Sequence, residues 1–191
     1  MQPHALTVIR DEHQALAAML RSILLLLAQG RQRHENPPFN VLRAMLLYVD
    51  EFPEQLHHPK ESDLLFPLLR ERCPALRATL DRLDADHAHG EMAIRALEHL
   101  LLAWEVLGEP RRAAFEQALT RYVDGYLAHM ATEEAEVLPA AREHLDAADW
   151  ARLDSAFAAN RDPLTGHDAQ DAYRPLFQQI LMTAPAPIGL G

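Results

Sequence analysis

Two stretches of this 191-residue chain repeat one layout. His57 is followed four residues later by Glu61 and six further on by Pro67, and His129 is followed by Glu133 and Pro139 at the same intervals. Residues i and i+4 of an α-helix lie one above the other on a single face. Each copy therefore aims an imidazole and a carboxylate at one point. Two such points facing each other make a nest of nitrogen and oxygen ligands for metal ions.

Two more histidines extend the pattern. His13 precedes the first pair by 44 residues and His87 precedes the second by 42. The residues leading into them are alike: Ile9-Arg10-Asp11-Glu12-His13 and Leu83-Asp84-Ala85-Asp86-His87. The chain reads as two helical hairpins, each giving one lone His and one His/Glu pair. Pseudo-twofold packing would gather four His and two Glu in the core. Burying such groups without partners is costly, and coordination of a metal satisfies all six at once. Glu91, one turn after His87 and on the face of His87 and Ile94, is a seventh candidate, with an outer hydrogen-bonding role as its alternative. Tyr122 and Tyr126, before His129 on the same face, read as core aromatics, or as hydroxyls reaching towards the site. His58, His89 and Glu134 flank ligands but point to neighbouring faces and read as surface. His4, His34, His99, His144 and His167 fit no spacing.

Four helices must position these groups. The first is expected over Pro3 to Gly30, with the apolar stripe Leu6, Ile9, Leu16, Leu20, Ile23 and Leu27 interrupted by His13. A second runs from about Phe39 to Glu71, burying Met45, Leu46, Val49, Leu64 and Leu68. Pro53, Pro59 and Pro67 fall inside it, and each removes a backbone donor and tends to kink the helix. A third spans about Ala75 to Leu107, where Gly90 admits close packing beside His87. The fourth spans about Arg111 to His144, with Val137 and Ala140 on the face of Glu133. Breaks at Cys73-Pro74 and Gly108-Glu109-Pro110 keep the connections short. The expected fold is all-α: an antiparallel up-down-up-down four-helix bundle over residues 1–146, with residues 147–191 as a short helical extension packed on it.

Composition sets limits. Half the chain is apolar, Ala, Leu, Glu and Arg dominate, and the formal net charge is -10. That charge argues against nucleic acid and anionic membranes as partners. Cys73 is the only cysteine, so an internal disulfide is excluded. No apolar run is long enough to span a membrane and no basic-then-apolar leader is present, so a cytoplasmic protein is expected. There is no nucleophile elbow, Gly-rich phosphate loop or basic stripe.

His13, the His57/Glu61 pair followed by Leu65-Phe66-Pro67, His87, and the His129/Glu133 pair followed by Leu138-Pro139 resemble the hemerythrin-like (HHE cation-binding) proteins. The likeness covers roughly residues 4 to 145. It implies a centre of two non-haem irons, with zinc or manganese as alternative metals, bridged by Glu61 and Glu133. One metal would take His13 and His57 and keep an open position. The other would take His87, His129 and Glu91. In the oxygen-carrying members the residue at the place of Glu91 is a fifth histidine, and one bridge is an aspartate where this chain has Glu133. Both departures weigh against reversible oxygen carriage. The resemblance implies a protein that binds or senses a small diatomic or peroxide ligand such as O2, NO or peroxide, or buffers iron. The alternative is a di-iron redox enzyme that turns these molecules over.

Overall fold

The computed structural model describes residues 3–190, which are mainly helical, with no strand among them. The expected limits at residues 1 and 191 lie outside the described residues. Helix α1 spans His4–Arg33. The second rod comprises α2 (Phe39–Val49), a π-helical stretch Asp50–His57, α3 (His58–Lys60), a π-helical stretch Glu61–Leu65 and α4 (Phe66–Arg72). A 3-10 turn, Pro74–Leu76, leads into α5 (Arg77–Leu107). A second 3-10 turn, Glu109–Arg111, leads into α6 (Arg112–Thr132), which passes through a π-helical stretch Glu133–Val137 into α7 (Leu138–His144).

The first helix runs three residues past the expected stop at Gly30. It ends where His34 turns left-handed, its N–H returning to the carbonyls of Arg31 and Gly30. Gly30 serves the returning loop instead: a Cβ there would stand 3.0 Å from the Glu35 carbonyl oxygen.

Two of the three π-helical stretches, those beginning at Glu61 and Glu133, are the repeated Glu-x5-Pro spacing made visible. Pro67 and Pro139 have no N–H, and their rings crowd the carbonyl one turn back. The ladder opens there into a wide turn, a form that often marks functional sites. One extra residue in the turn shifts everything after it. The α-helical period places Leu64 and Leu68 inside, but the chain buries Leu65, Phe66 and Leu69. The second copy buries Val137, Leu138 and Ala141, with Ala140 only partly covered. In both copies the buried residues stand at the same offsets from Glu61 and Glu133.

The apolar interior forms two clusters. One gathers Leu16 to Leu27 of α1, most of α2, Ile94 to Trp104 of α5 and Phe115 to Met130 of α6. The other holds Leu6, Ile9, Leu65, Phe66, Leu69, Leu80, Leu83, Val137 and Leu138. On every rod the candidate ligands fall at the boundary between the two clusters: His13 sits between Ile9 and Leu16, and His87 between Leu83 and Ile94. The site is thus a polar layer sandwiched between two dry ones.

The remaining chain adds α8 (Ala147–Phe157), capped by reciprocal bonds of Asp146 and Asp149, a 3-10 turn Pro163–Thr165, and α9 (Arg174–Thr183). Asp154 of α8 accepts the N–H of Ala5, and Leu153 and Phe157 enter the second cluster. Phe177 of α9 packs edge-on against Tyr48 and Phe52. No described helix is long and apolar enough to cross a membrane.

Candidate metal centre

Six of the seven residues singled out by spacing come together. His57 Nε2 lies 3.2 Å from Glu61 Oε1, and His87 Nε2 lies 3.6 Å from Glu61 Oε2. His13 Nε2 lies 3.3 Å from Glu133 Oε2, and His129 Nε2 lies 3.2 Å from Glu133 Oε1. Each carboxylate presents one oxygen to the His13/His57 half and the other to the His87/His129 half. Neither oxygen of Glu61 or Glu133 has a hydrogen-bond partner, and nor does His57 Nε2, although all are buried. Buried polar atoms in proteins are nearly always satisfied. Five orphans facing one another fit a site built for cations.

Glu91 is not among them. It is half exposed and takes Arg95, one turn on, as its partner at 2.6 Å. A residue four positions after His87 on a straight α-helix drifts off the line of the core, and α5 has no wide turn to bring it back. Its place at the second half is taken by His58, which spacing put on the surface. His58 is buried and stacked on His87 with ring centroids 4.2 Å apart. One ligand atom each of His58, Glu61, His87 and His129 lie within 4.8 Å of one another, as do those of His13, His57 and Glu61. On a regular helix His57 and His58 would diverge by about 100°. The π-helical turns flanking them let both face inward. Glu91→Ala is therefore expected to leave metal content unchanged within error, as measured by elemental analysis, whereas His58→Ala lowers it.

The outer nitrogens show what orients the rings. Glu12 Oε2 holds His57 Nδ1 at 2.6 Å, Glu54 Oε2 holds His58 Nδ1 at 3.1 Å, and Glu134 Oε1 holds His13 Nδ1 at 3.2 Å. Ser62 donates its hydroxyl proton to Asp84, 2.6 Å away, and so accepts the Nδ1–H of His87 at 2.9 Å. His129 Nδ1 has no hydrogen-bond partner, Asp86 lying 3.5 Å away as a charge neighbour only. With protons on Nδ1, the Nε2 lone pairs point inward, the arrangement of metal-binding histidines whose other nitrogen is held by a carboxylate. Tyr122 and Tyr126 reach Glu54 rather than the centre, Tyr122 at 2.8 Å, and Glu54 in turn holds His58. Glu134, read as surface, is largely exposed but engaged with His13. Glu12 and Glu54 were not anticipated, although Glu54 stands four residues before His58 and Glu12 directly precedes His13.

Gly90 makes the tyrosine arrangement possible. A Cβ there would stand 2.8 Å from the Tyr126 hydroxyl oxygen and 2.9 Å from Glu54 Oε1. Gly90→Ala should gain up to about 1 kcal/mol of helix propensity yet displace the support of His58. Loss of such outer partners typically weakens metal binding about 10- to 100-fold. Competitive metal titration beside thermal melts separates the two effects.

Without an ion the charges are frustrated. Burial opposes a charged His13, but the nearby carboxylates of Glu133 and Glu134 outweigh it and raise its pKa to about 9. His57 is likewise raised, burial being overcome by Glu61 and Glu12. Burial and the neighbouring His58 and His129 push His87 down to about 2. Burial and the charge of Glu133 push Glu61 up. For Glu133, burial is overcome by His129 and His13, which hold it well below the ordinary carboxylate range.

The chain matches the hemerythrin HHE cation binding domain over residues 4–141, and it belongs to that family. No curated protein and no solved structure matches it. The matched stretch ends before α8 and contains all the residues of the buried cluster.

Proposed function

We propose that the protein holds two iron ions between Glu61 and Glu133 and binds a small ligand there, such as O2, NO or peroxide. The observation that carries this is the set of inward-facing, unpartnered oxygens surrounded by histidines tethered from outside by their Nδ1 atoms. His13 and His57 would hold one ion. His58, His87 and His129 would hold the other, and the two carboxylates would bridge them. Bound iron would supply redox-capable open coordination for a small molecule. Four rods with short connections support an antiparallel up-down-up-down bundle over residues 1–146, with 147–191 as an extension.

The asymmetry of the site supports an exogenous ligand on the first half. The second half has one histidine more than the first. Beside His13 and His57 lies a cavity of about 20 Å³, also lined by Leu16, Phe52, Leu56 and Met130. That is room for about one water-sized molecule. Iron-loaded protein is expected to bind nitric oxide or azide reversibly, with a change in its optical spectrum, and to exclude imidazole. Binding of imidazole as tightly as azide would contradict a ligand site in this cavity, and failure of all three would contradict an open iron position.

A further inference from the structure

The family match ends at residue 141, yet the cavity beside His13 and His57 is completed by residues well beyond it. Asn160, Arg161 and Asp162 form one of its walls. Asn160 is 3% exposed, and its side-chain amide donates to Glu12 Oε2 at 2.9 Å, the same oxygen that holds His57 Nδ1. Its carbonyl oxygen accepts from the ammonium of Lys60, one residue before Glu61. Asp162, 4% exposed, accepts the Tyr48 hydroxyl at 2.6 Å and the N–H of Leu164 at 2.9 Å. The segment is thus pinned on both sides of Arg161 to the rods that carry the site. Arg161 itself is exposed, as is Leu56 opposite, so these two form the rim of the cavity. Among the described residues no carboxylate lies within ion-pair distance of Arg161, in a chain whose net charge is -10.

We propose that Asn160–Asp162 is the entrance of the ligand pocket and selects small anions: Arg161 draws them to the rim, Asn160 limits their size, and Asn160 also positions His57 through Glu12. This rests on the reading of the cavity as the exogenous-ligand site. The acidic groups on the wall do not oppose an anion freely, since Glu12 is engaged by His57 and Asn160, and Asp162 by Tyr48 and a backbone N–H. An unpaired cation at a narrow mouth raises the local concentration of anions and their entry rate, an effect that salt screens.

The test uses the full chain loaded with cobalt(II), with azide as the small anion and imidazole as the larger neutral probe. Arg161→Ala is expected to slow azide entry about tenfold at low salt and to flatten its salt dependence, with Arg161→Lys retaining most of the rate. Asn160→Ala is expected to admit imidazole, to alter the cobalt absorption bands, and to speed cobalt loss to a chelator about tenfold. Wild-type azide rates and salt dependence in Arg161→Ala, together with continued exclusion of imidazole by Asn160→Ala, would overturn the proposal. If the wild-type protein takes up no cobalt, the metal centre and its entrance fall together. If it takes up cobalt and the variants behave as wild type, only the entrance falls.

Discussion

Glu61→Gln is expected to cost the protein its metal while leaving the metal-free fold as stable as before, or more so. Glu61 is fully buried, presents one oxygen to each half of the centre, and has no other partner. The amide removes the charge and replaces one ligating oxygen by a group with no lone pair to offer. Affinity should fall beyond the roughly 100-fold that marks the loss of an outer partner. In the metal-free protein the same substitution removes one of two buried carboxylates whose charges oppose each other. A gain of about 1 kcal/mol would raise the melting temperature of a chain this size by about 2–4 °C. Wild type with metal at about a thousandfold excess over its dissociation constant should gain about 4 kcal/mol, a shift the variant lacks. Scanning calorimetry with and without metal reads both effects. A variant that melts lower without metal and still takes up a full complement would make Glu61 a structural residue only.

Metal affinity is expected to climb as pH rises from about 6 towards 9. In the metal-free site His13 holds its proton up to about 9, and His57 well above its ordinary range. An ion must displace both protons, so binding releases them, and each fully protonated ligand weakens affinity by up to about tenfold per pH unit. The metal-free fold carries the opposite dependence from His13. A base whose folded pKa is raised contributes stability that is complete below its unfolded pKa of 6.5 and is lost as pH rises through about 9. His87 works the other way. Held neutral in the fold down to about 2, it favours the unfolded chain once pH drops below 6.5. Titration calorimetry in buffers of different ionisation enthalpy counts the protons released. Affinity that is flat across this range, with no proton release, would contradict the assignment of His13 and His57 as ligands.

The repeated His-x3-Glu spacing and the two lone histidines were enough to bring six candidate ligands to one layer, because helical period alone puts them on the inner faces. The same period produced the errors. It sent Glu91 inward and His58 outward, and it placed Leu64, Leu68 and Ala140 in the core. The wide turns at His57, Glu61 and Glu133 break the period, and each reassignment but that of Glu91 follows from them. The prolines six residues after each Glu signalled a disturbance but not its form, since a kink and a π turn both relieve a missing donor. Glu12 and Asn160 were hidden for another reason, whereas Glu54 stands at a local i,i+4 spacing from His58 that went unread because His58 was placed outside. Glu12 reaches His57 Nδ1 across 45 residues, Asn160 reaches Glu12 across 148, and no local pattern marks such contacts. The tie between the C-terminal segment and the ligand cavity is of that kind.

The proposal of a two-ion centre is tested most directly by counting the metal in the purified protein and recording its optical spectrum, first reduced without oxygen and then exposed to air. About two irons per chain, as in other carboxylate-bridged bundle centres, with an absorption band that responds to air and vanishes in Glu61→Gln, is the predicted result. Zinc in place of iron, no metal at all, or a metal content that Glu61→Gln leaves unchanged would contradict it.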